Sequence, residues 1–194
     1  MNKIIENSIA IILIVLATLS IIFGSYLPLV KAQCFIDALM ELQSGKIHSV
    51  EEFKMNFDRT FKFYSPVGKE EITKFLANNI LQIISQQNQP EAVSRELVNY
   101  IEPYFFQNNV RHLMAAGQMY EVLWGRYGQE EDFQKAENYF QKAFAIGPKL
   151  LPVLHGILDL YRMRGDTQKT KEIGEIILKY WPEDEEVEKI LKEI

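Results

Sequence analysis

The first pattern along the chain is a long absence of polar contrast. Asn7 to Val30 is 24 residues without a charge, dominated by Ile, Leu, Val, Ala and Phe. As a helix rising about 1.5 Å per residue it extends about 36 Å, enough to cross a hydrocarbon core of about 30 Å with some tilt. Lys3 and Lys31 bracket it, where the cost of burying charge in lipid ends such a segment. An uncleaved membrane anchor is expected, with residues 8–30 in the bilayer. A cleavable secretory signal fits less well, because its apolar stretch is usually about 7–15 residues and ends at a small-x-small site. Val30-Lys31-Ala32-Gln33 is also not the small, apolar sequence that lipoprotein processing at Cys34 needs.

After the anchor, apolar residues recur at helical spacing and no strand alternation occurs. Phe35, Ile36, Leu39, Met40 and Leu42 continue the first helix until Ser44-Gly45 closes it. Ser49-Val50-Glu51-Glu52 reads as a capping box. The helix it opens carries Val50, Phe53, Phe57, Phe61 and Tyr64 on one stripe. Ser65-Pro66 ends that helix and starts another, with Ile72, Phe75, Leu76, Ile80, Ile83 and Ile84 as its apolar face. Pro90 opens a further helix with Val93, Leu97, Val98 and Ile101 on one side, and Pro103 breaks it. Helical sequence then runs from about Val110 to the end, punctuated by Gly128, Gly147-Pro148, Gly165-Asp166 and Trp181-Pro182. The punctuation recurs: Pro148 and Pro182 are 34 residues apart, as are Tyr127 and Tyr161. A fixed period of that length in helical sequence indicates stacked helix–turn–helix units.

These residues resemble the tetratricopeptide repeat (TPR) family. With a first repeat at 117–150, Tyr120, Leu123 and Tyr127 occupy the core positions of its first helix. Ala136, Phe140 and Ala143 occupy those of its second, and Pro148 stands at the family's proline. Trp124 departs from the pattern: the family has a small residue there, so a neighbour must yield space or the helices must splay. In a second repeat at 151–184, Leu154, Ile157, Tyr161 and Pro182 match, whereas Leu158, Thr170, Gly174 and Ile177 do not. Val187, Ile190, Leu191 and Ile194, backed by six acids among the last twelve residues, read as a capping helix. Two repeats are few for stability, so residues 49–106 are expected to supply further helical surface. The expected architecture is all-α: an N-terminal transmembrane helix followed by a TPR-like solenoid. Its parts are an anchor at 1–31, a helical region of worn-down repeats at 32–116, and two repeats plus a cap at 117–194.

A second resemblance is to the C-terminal tail of O-antigen ligase/polymerase-like membrane proteins. It rests on Phe61-Lys62-Phe63-Tyr64-Ser65-Pro66-Val67-Gly68-Lys69-Glu70-Glu71 after the span, and on the repeats that follow. Those enzymes surround a lipid-linked sugar with many spans. The resemblance therefore implies an accessory or severed portion without the catalytic part.

Composition narrows the chemistry. The chain has 194 residues with a net charge of −5, one Cys and three His. Setting Lys3, Lys31 and Glu6 aside leaves 19 basic and 25 acidic residues in 32–194. Nucleic-acid binding is not expected of an acidic chain with no basic run. One cysteine makes neither an internal disulfide nor a thiolate zinc site. His48, His112 and His155 have no ligand partner at helical spacing, so no metal is expected. No phosphate-cradling glycine loop and no serine nucleophile elbow occur, and Cys34 has no histidine partner. Glu51-Glu52, Glu70-Glu71 and Glu130-Glu131-Asp132 stand at helix starts, where the macrodipole favours acids. Neither catalysis nor a cofactor is expected.

The TPR resemblance implies a peptide-binding groove. Its positions fall on Gln118, Glu121, Gly125, Gly128 and Gln129 in the first repeat, and on Pro152, His155, Asp159, Arg162 and Met163 in the second. The side chains expected to contact a peptide are Gln118, Glu121, Gln129, His155, Asp159, Arg162 and Met163. The carboxylate-clamp form of the family uses basic residues and asparagine there, whereas this chain offers Glu121 and Asp159. The expected role is a membrane-tethered scaffold for a protein or peptide partner, itself membrane-associated. The short basic N-terminus before the span reads as a signal anchor, which exports residues 32–194.

Overall fold

An unbroken helical rod opens the chain. The structure, a computed structural model, describes residues 3–194, with side chains from Asn7 onward; the side chain of the flanking Lys3 lies outside the described residues. α1 (Lys3–Ile21) passes through a π-helical turn (Ile22–Tyr26) into α2 (Leu27–Gln43). Pro28 supplies the reason for the turn. It has no N–H for the carbonyl four residues back, so the ladder widens and the Leu27 N–H donates to Ile22 O instead. The segment Asn7–Gln43 is long and apolar enough to cross a membrane, and its most apolar window is wholly unburied. All remaining regular structure among the described residues is helical.

The chain forms two compact units, residues 1–72 and 73–194. In the first, α3 (Val50–Lys62) returns antiparallel along α2. Phe35 meets Phe57 at 6.1 Å between ring centroids, and Phe57 meets Phe53 at 4.7 Å. Asn56 Nδ2 donates to Ala38 O at 3.0 Å, and Lys31 Nζ to Phe63 O at 2.9 Å. Ser49 caps α3: its Oγ accepts from the Glu52 N–H at 3.1 Å. Glu52 reaches back one residue further than a standard capping box, to the His48 N–H at 2.8 Å. Two aromatic expectations fail in part. Phe61 is half-buried, and Tyr64 lies past the end of α3 with 68% of its surface exposed.

The second unit holds most of α4 (Lys69–Ile84), then α5 (Glu91–Ile101), a 3-10 turn (Glu102–Tyr104) and α6 (Val110–Tyr127). α7 (Glu130–Ile146), α8 (Leu151–Arg164), α9 (Thr167–Tyr180) and α10 (Glu185–Glu193) follow. α4 buries Ile72, Leu76, Ile80 and Ile84 of the expected face together with Thr73 and Ala77, and leaves Ile83 half-buried and Phe75 49% exposed. Side-chain oxygens of Asn109, Asp166 and Asp184 cap α6, α9 and α10. Gly128 and Gly165, at φ +72° and +77°, end α6 and α8 in the left-handed region that glycine enters without strain.

Consecutive helices from α6 onward pack antiparallel. Tyr120 stacks on Tyr139 (5.9 Å, 7°), and Trp124 meets Phe133 edge-on at 5.1 Å. Trp124 is therefore accommodated beside Phe133, while close approach is supplied elsewhere. A Cβ at Gly117 of α6 or Gly156 of α8 would stand 2.9 or 2.7 Å from the Phe140 ring of α7. Leu154, Leu158, Ile177, Val187 and Ile190 join α8, α9 and α10 in one apolar cluster. The two hairpins end in step: α7 and α9 finish 34 residues apart, at Ile146 and Tyr180. Their turns do not, since Gly128 and Gly165 are 37 apart.

Candidate functional site

α6 and α8 run side by side, and the residues between them face one open groove. Its volume is about 530 Å³, and α4 provides its other wall. Leu81 of α4, Ser85 just after it, Gln118, Glu121, Val122, Gly125 and Arg126 of α6, and Met163 of α8 line it. Gly125 faces the Met163 methyl: a Cβ there would stand 2.9 Å from it, at the far end of a flexible side chain.

Arg126 holds the α4 wall in place. A helix end leaves carbonyls without partners, and the Arg126 guanidinium fills that need. It donates to Ile84 O, to Gln87 O at 2.7 Å and to Gln89 O at 3.4 Å. Tyr127 adds a hydrogen bond from its hydroxyl to Gln89 O at 2.9 Å. These contacts tie the connection after α4 to the last turn of α6.

Two ionisable side chains line the groove: Arg126, taken up by the carbonyls after α4, and Glu121. Burial, with Asp159 as a secondary cause, pushes its carboxyl up to about 7. It has no hydrogen bond or ion pair among the described residues. Asp159 is also pushed up by burial, although Arg162 and His155 pull the other way. Arg162 Nη2 lies 3.4 Å from Asp159 Oδ1. The groove thus joins apolar walls to a carboxyl that gains from any cationic group brought to it.

Of the seven residues read from sequence, Gln118, Glu121 and Met163 line this groove. Asp159 and Arg162 lie on α8 beside it, Asp159 acting on Glu121 through charge. His155 Nε2 is held by Asp184 Oδ2 at 2.9 Å, which joins α8 to the cap of α10. Gln129 is elsewhere: it precedes α7, and its Nε2 donates to Glu91 Oε1 of α5 at 2.7 Å. Sequence reasoning missed Leu81, Ser85, Val122 and Arg126. Leu81 lies in the last turn of α4 and Ser85 directly follows that helix, its N–H donating to Leu81 O at 3.0 Å, but nothing local connects them to α6.

His112 is buried, its Nδ1 accepting from the Phe106 N–H at 3.0 Å between the rings of Phe105 and Phe106. Among the described residues no group of three or more His, Cys, Asp or Glu is arranged to hold a metal ion. No family model, curated protein or solved structure matches the chain.

Proposed function

We propose that this chain is a membrane-tethered protein-interaction module without catalysis of its own, in which residues 117–194 act as a TPR-like solenoid. Two features support the solenoid. Glu121 and Asp159, and Gly125 and Met163, meet at the same sequence offset of 38, so α6 and α8 lie parallel on the groove side. The groove is lined from α4, α6 and α8, and no residue of α7 or α9 contributes to it. The 37-residue spacing of the two turns is the feature that a regular repeat lacks. The observation that carries the function is the groove itself, with Glu121 set without a counter-ion among Leu81, Val122 and Met163.

The occupant is a peptide segment that places an apolar side chain on Val122 and Met163 and a Lys or Arg at Glu121. The span holds the module near membrane-associated partners and raises their effective concentration. Residues 32–194 are read as exported.

The test is selection of a random peptide library on the full chain in lipid nanodiscs. Enrichment of peptides pairing a basic with an apolar residue is expected, with binding lost on Glu121→Lys and on Val122→Asp. Enriched peptides that bind both variants as well as the parent refute the groove.

A further inference from the structure

The end of the uncharged helix is fastened to a loop. Lys31 directly follows Val30 and is only 3% exposed. Its ammonium donates to Phe63 O at 2.9 Å. Its stem passes Gly68, where an added Cβ would lie 3.8 Å from Lys31 Cδ. Both ends of the segment 63–68 are therefore held at the level of Lys31. The segment cannot continue α3, because Pro66 has no N–H to give and disfavours helix before it. Phe63 turns extended, Ser65 Oγ donates to Val67 O at 2.8 Å, and Gly68 takes φ +95°. The result points Tyr64 and Val67 outward, 68% and 59% exposed.

We propose that this loop is a second contact with the bilayer that carries the first helix: Tyr64 and Val67 enter the interfacial layer beside Lys31. The inference rests on the span proposed above. A 24-residue helix exceeds a core of about 30 Å by about 6 Å, and each headgroup layer adds about 5–7 Å. With the excess shared between the two sides, Lys31 lies about 4–5 Å outside the core, within that layer. Tyrosine, with an apolar ring and a polar tip, suits this depth. Charge does not drive the contact. Lys62 is paired with Asp58 at 2.6 Å, and Glu70 and Glu71 follow Lys69, so no anionic lipid is required. The loop fixes which side of the α2–α3 hairpin meets the membrane, something a lone helix cannot do.

The experiment places a tryptophan at three depths in the full chain, reconstituted in phosphatidylcholine nanodiscs with or without lipid carrying a nitroxide near the carbonyls. The variants are Leu29→Trp, Tyr64→Trp and Met55→Trp, each read as the increment over the parent's two tryptophans. Met55 is 69% exposed, and its neighbour Asn56 bonds Ala38, about 10 Å further along the helix than Lys31. The nitroxide is expected to quench the Leu29→Trp and Tyr64→Trp increments at least twofold and to spare that of Met55→Trp. Quenching of Leu29→Trp with Tyr64→Trp spared overturns the loop contact and leaves the span standing. An unquenched Leu29→Trp overturns the span and the loop contact together.

Discussion

Gly117 lies against the Cδ1–Cε1–Cζ edge of Phe140, so close that a Cβ on the glycine would stand 2.9 Å from the ring carbons. Gly156 of α8 meets the same ring edge, with a built Cβ distance of 2.7 Å to Cε1. Two glycines and one aromatic thus set the spacing of α6, α7 and α8. Alanine would gain about 1 kcal/mol of helix propensity at either glycine, which makes valine the cleaner probe. Gly117→Val is expected to destabilise the chain by about 2–3 kcal/mol through overpacking. Adding Phe140→Leu should recover part of that loss. Strictly additive losses in a chemical-denaturation double-mutant cycle would contradict the contact.

Glu102, on the turn between α5 and α6, accepts from the Tyr120 hydroxyl at 2.8 Å and the Tyr139 hydroxyl at 2.7 Å, one on each oxygen. Burial and then the carboxylate push both phenols well above their usual range, so both remain donors. Glu102→Ala should cost about 3 kcal/mol, given about 1.5–3 for a hydrogen bond to a charged group. Glu102→Gln keeps one accepting oxygen and should cost about half as much. Thermal unfolding of the two variants in parallel checks the order.

Asp132 at the start of α7 receives two parallel hydrogen bonds from Arg95 of α5, at 3.0 and 2.8 Å. Its side chain is 3% exposed and that of Arg95 26%. The bidentate geometry and this burial separate the pair from the surface ion pairs of the same unit. Asp132→Ala should destabilise by about 2 kcal/mol, because it removes both charge-assisted hydrogen bonds and leaves Arg95 with Glu91 alone. The loss should persist at 0.5 M salt, a condition under which exposed pairs are largely screened. Denaturation midpoints at low and high salt decide it.

The features legible in the sequence are those that act over one turn of helix. Ser49, Gly128 and Gly165 mark helix ends because a cap or a left-handed residue is a local requirement. Periodicity misled where a competing local rule intervened. Tyr64 continues the stripe of Phe53 and Phe57, but Pro66 stops the helix before it. Phe75 has the right spacing, yet it is 49% exposed while its helix buries Thr73 and Ala77. At the groove, Gln118, Glu121 and Met163 come together from α6 and α8. The α4 wall was not legible, since Arg126 meets the carbonyls of Ile84 and Gln87 across about 40 residues that carry no shared pattern. Nor was the environment of Glu121, which depends on how deeply α8 sits against it.

That environment should be visible as a pH dependence. The Glu121 carboxyl is raised from an ordinary value of 4.5 to about 7. The folded state therefore holds a proton that the unfolded state has lost between those pH values, and stability falls as pH rises through this window. Asp159, also raised, acts in the same direction. Glu137 works oppositely. Burial pushes it up, but hydrogen bonds from Tyr161 (2.6 Å) and Lys169 (3.1 Å) hold it below its ordinary value. Its contribution is present above 4.5 and is lost as pH falls through its folded value. Stability should rise on acidification from pH 7 toward 4.5, then drop below it. With solvent screening discounted, ionised Glu121 should cost about 1–2 kcal/mol at pH 8. Glu121→Gln is then expected to stabilise the chain at pH 8 and to flatten the slope between pH 5 and 7, whereas Glu137→Gln should reduce the loss at low pH. A cationic peptide in the groove should lower the Glu121 value and so stabilise the chain most at pH 8. Thermal unfolding from pH 3 to 9, with and without such a peptide, reads all three effects, and a Glu121→Gln curve parallel to the parent's would refute the assignment.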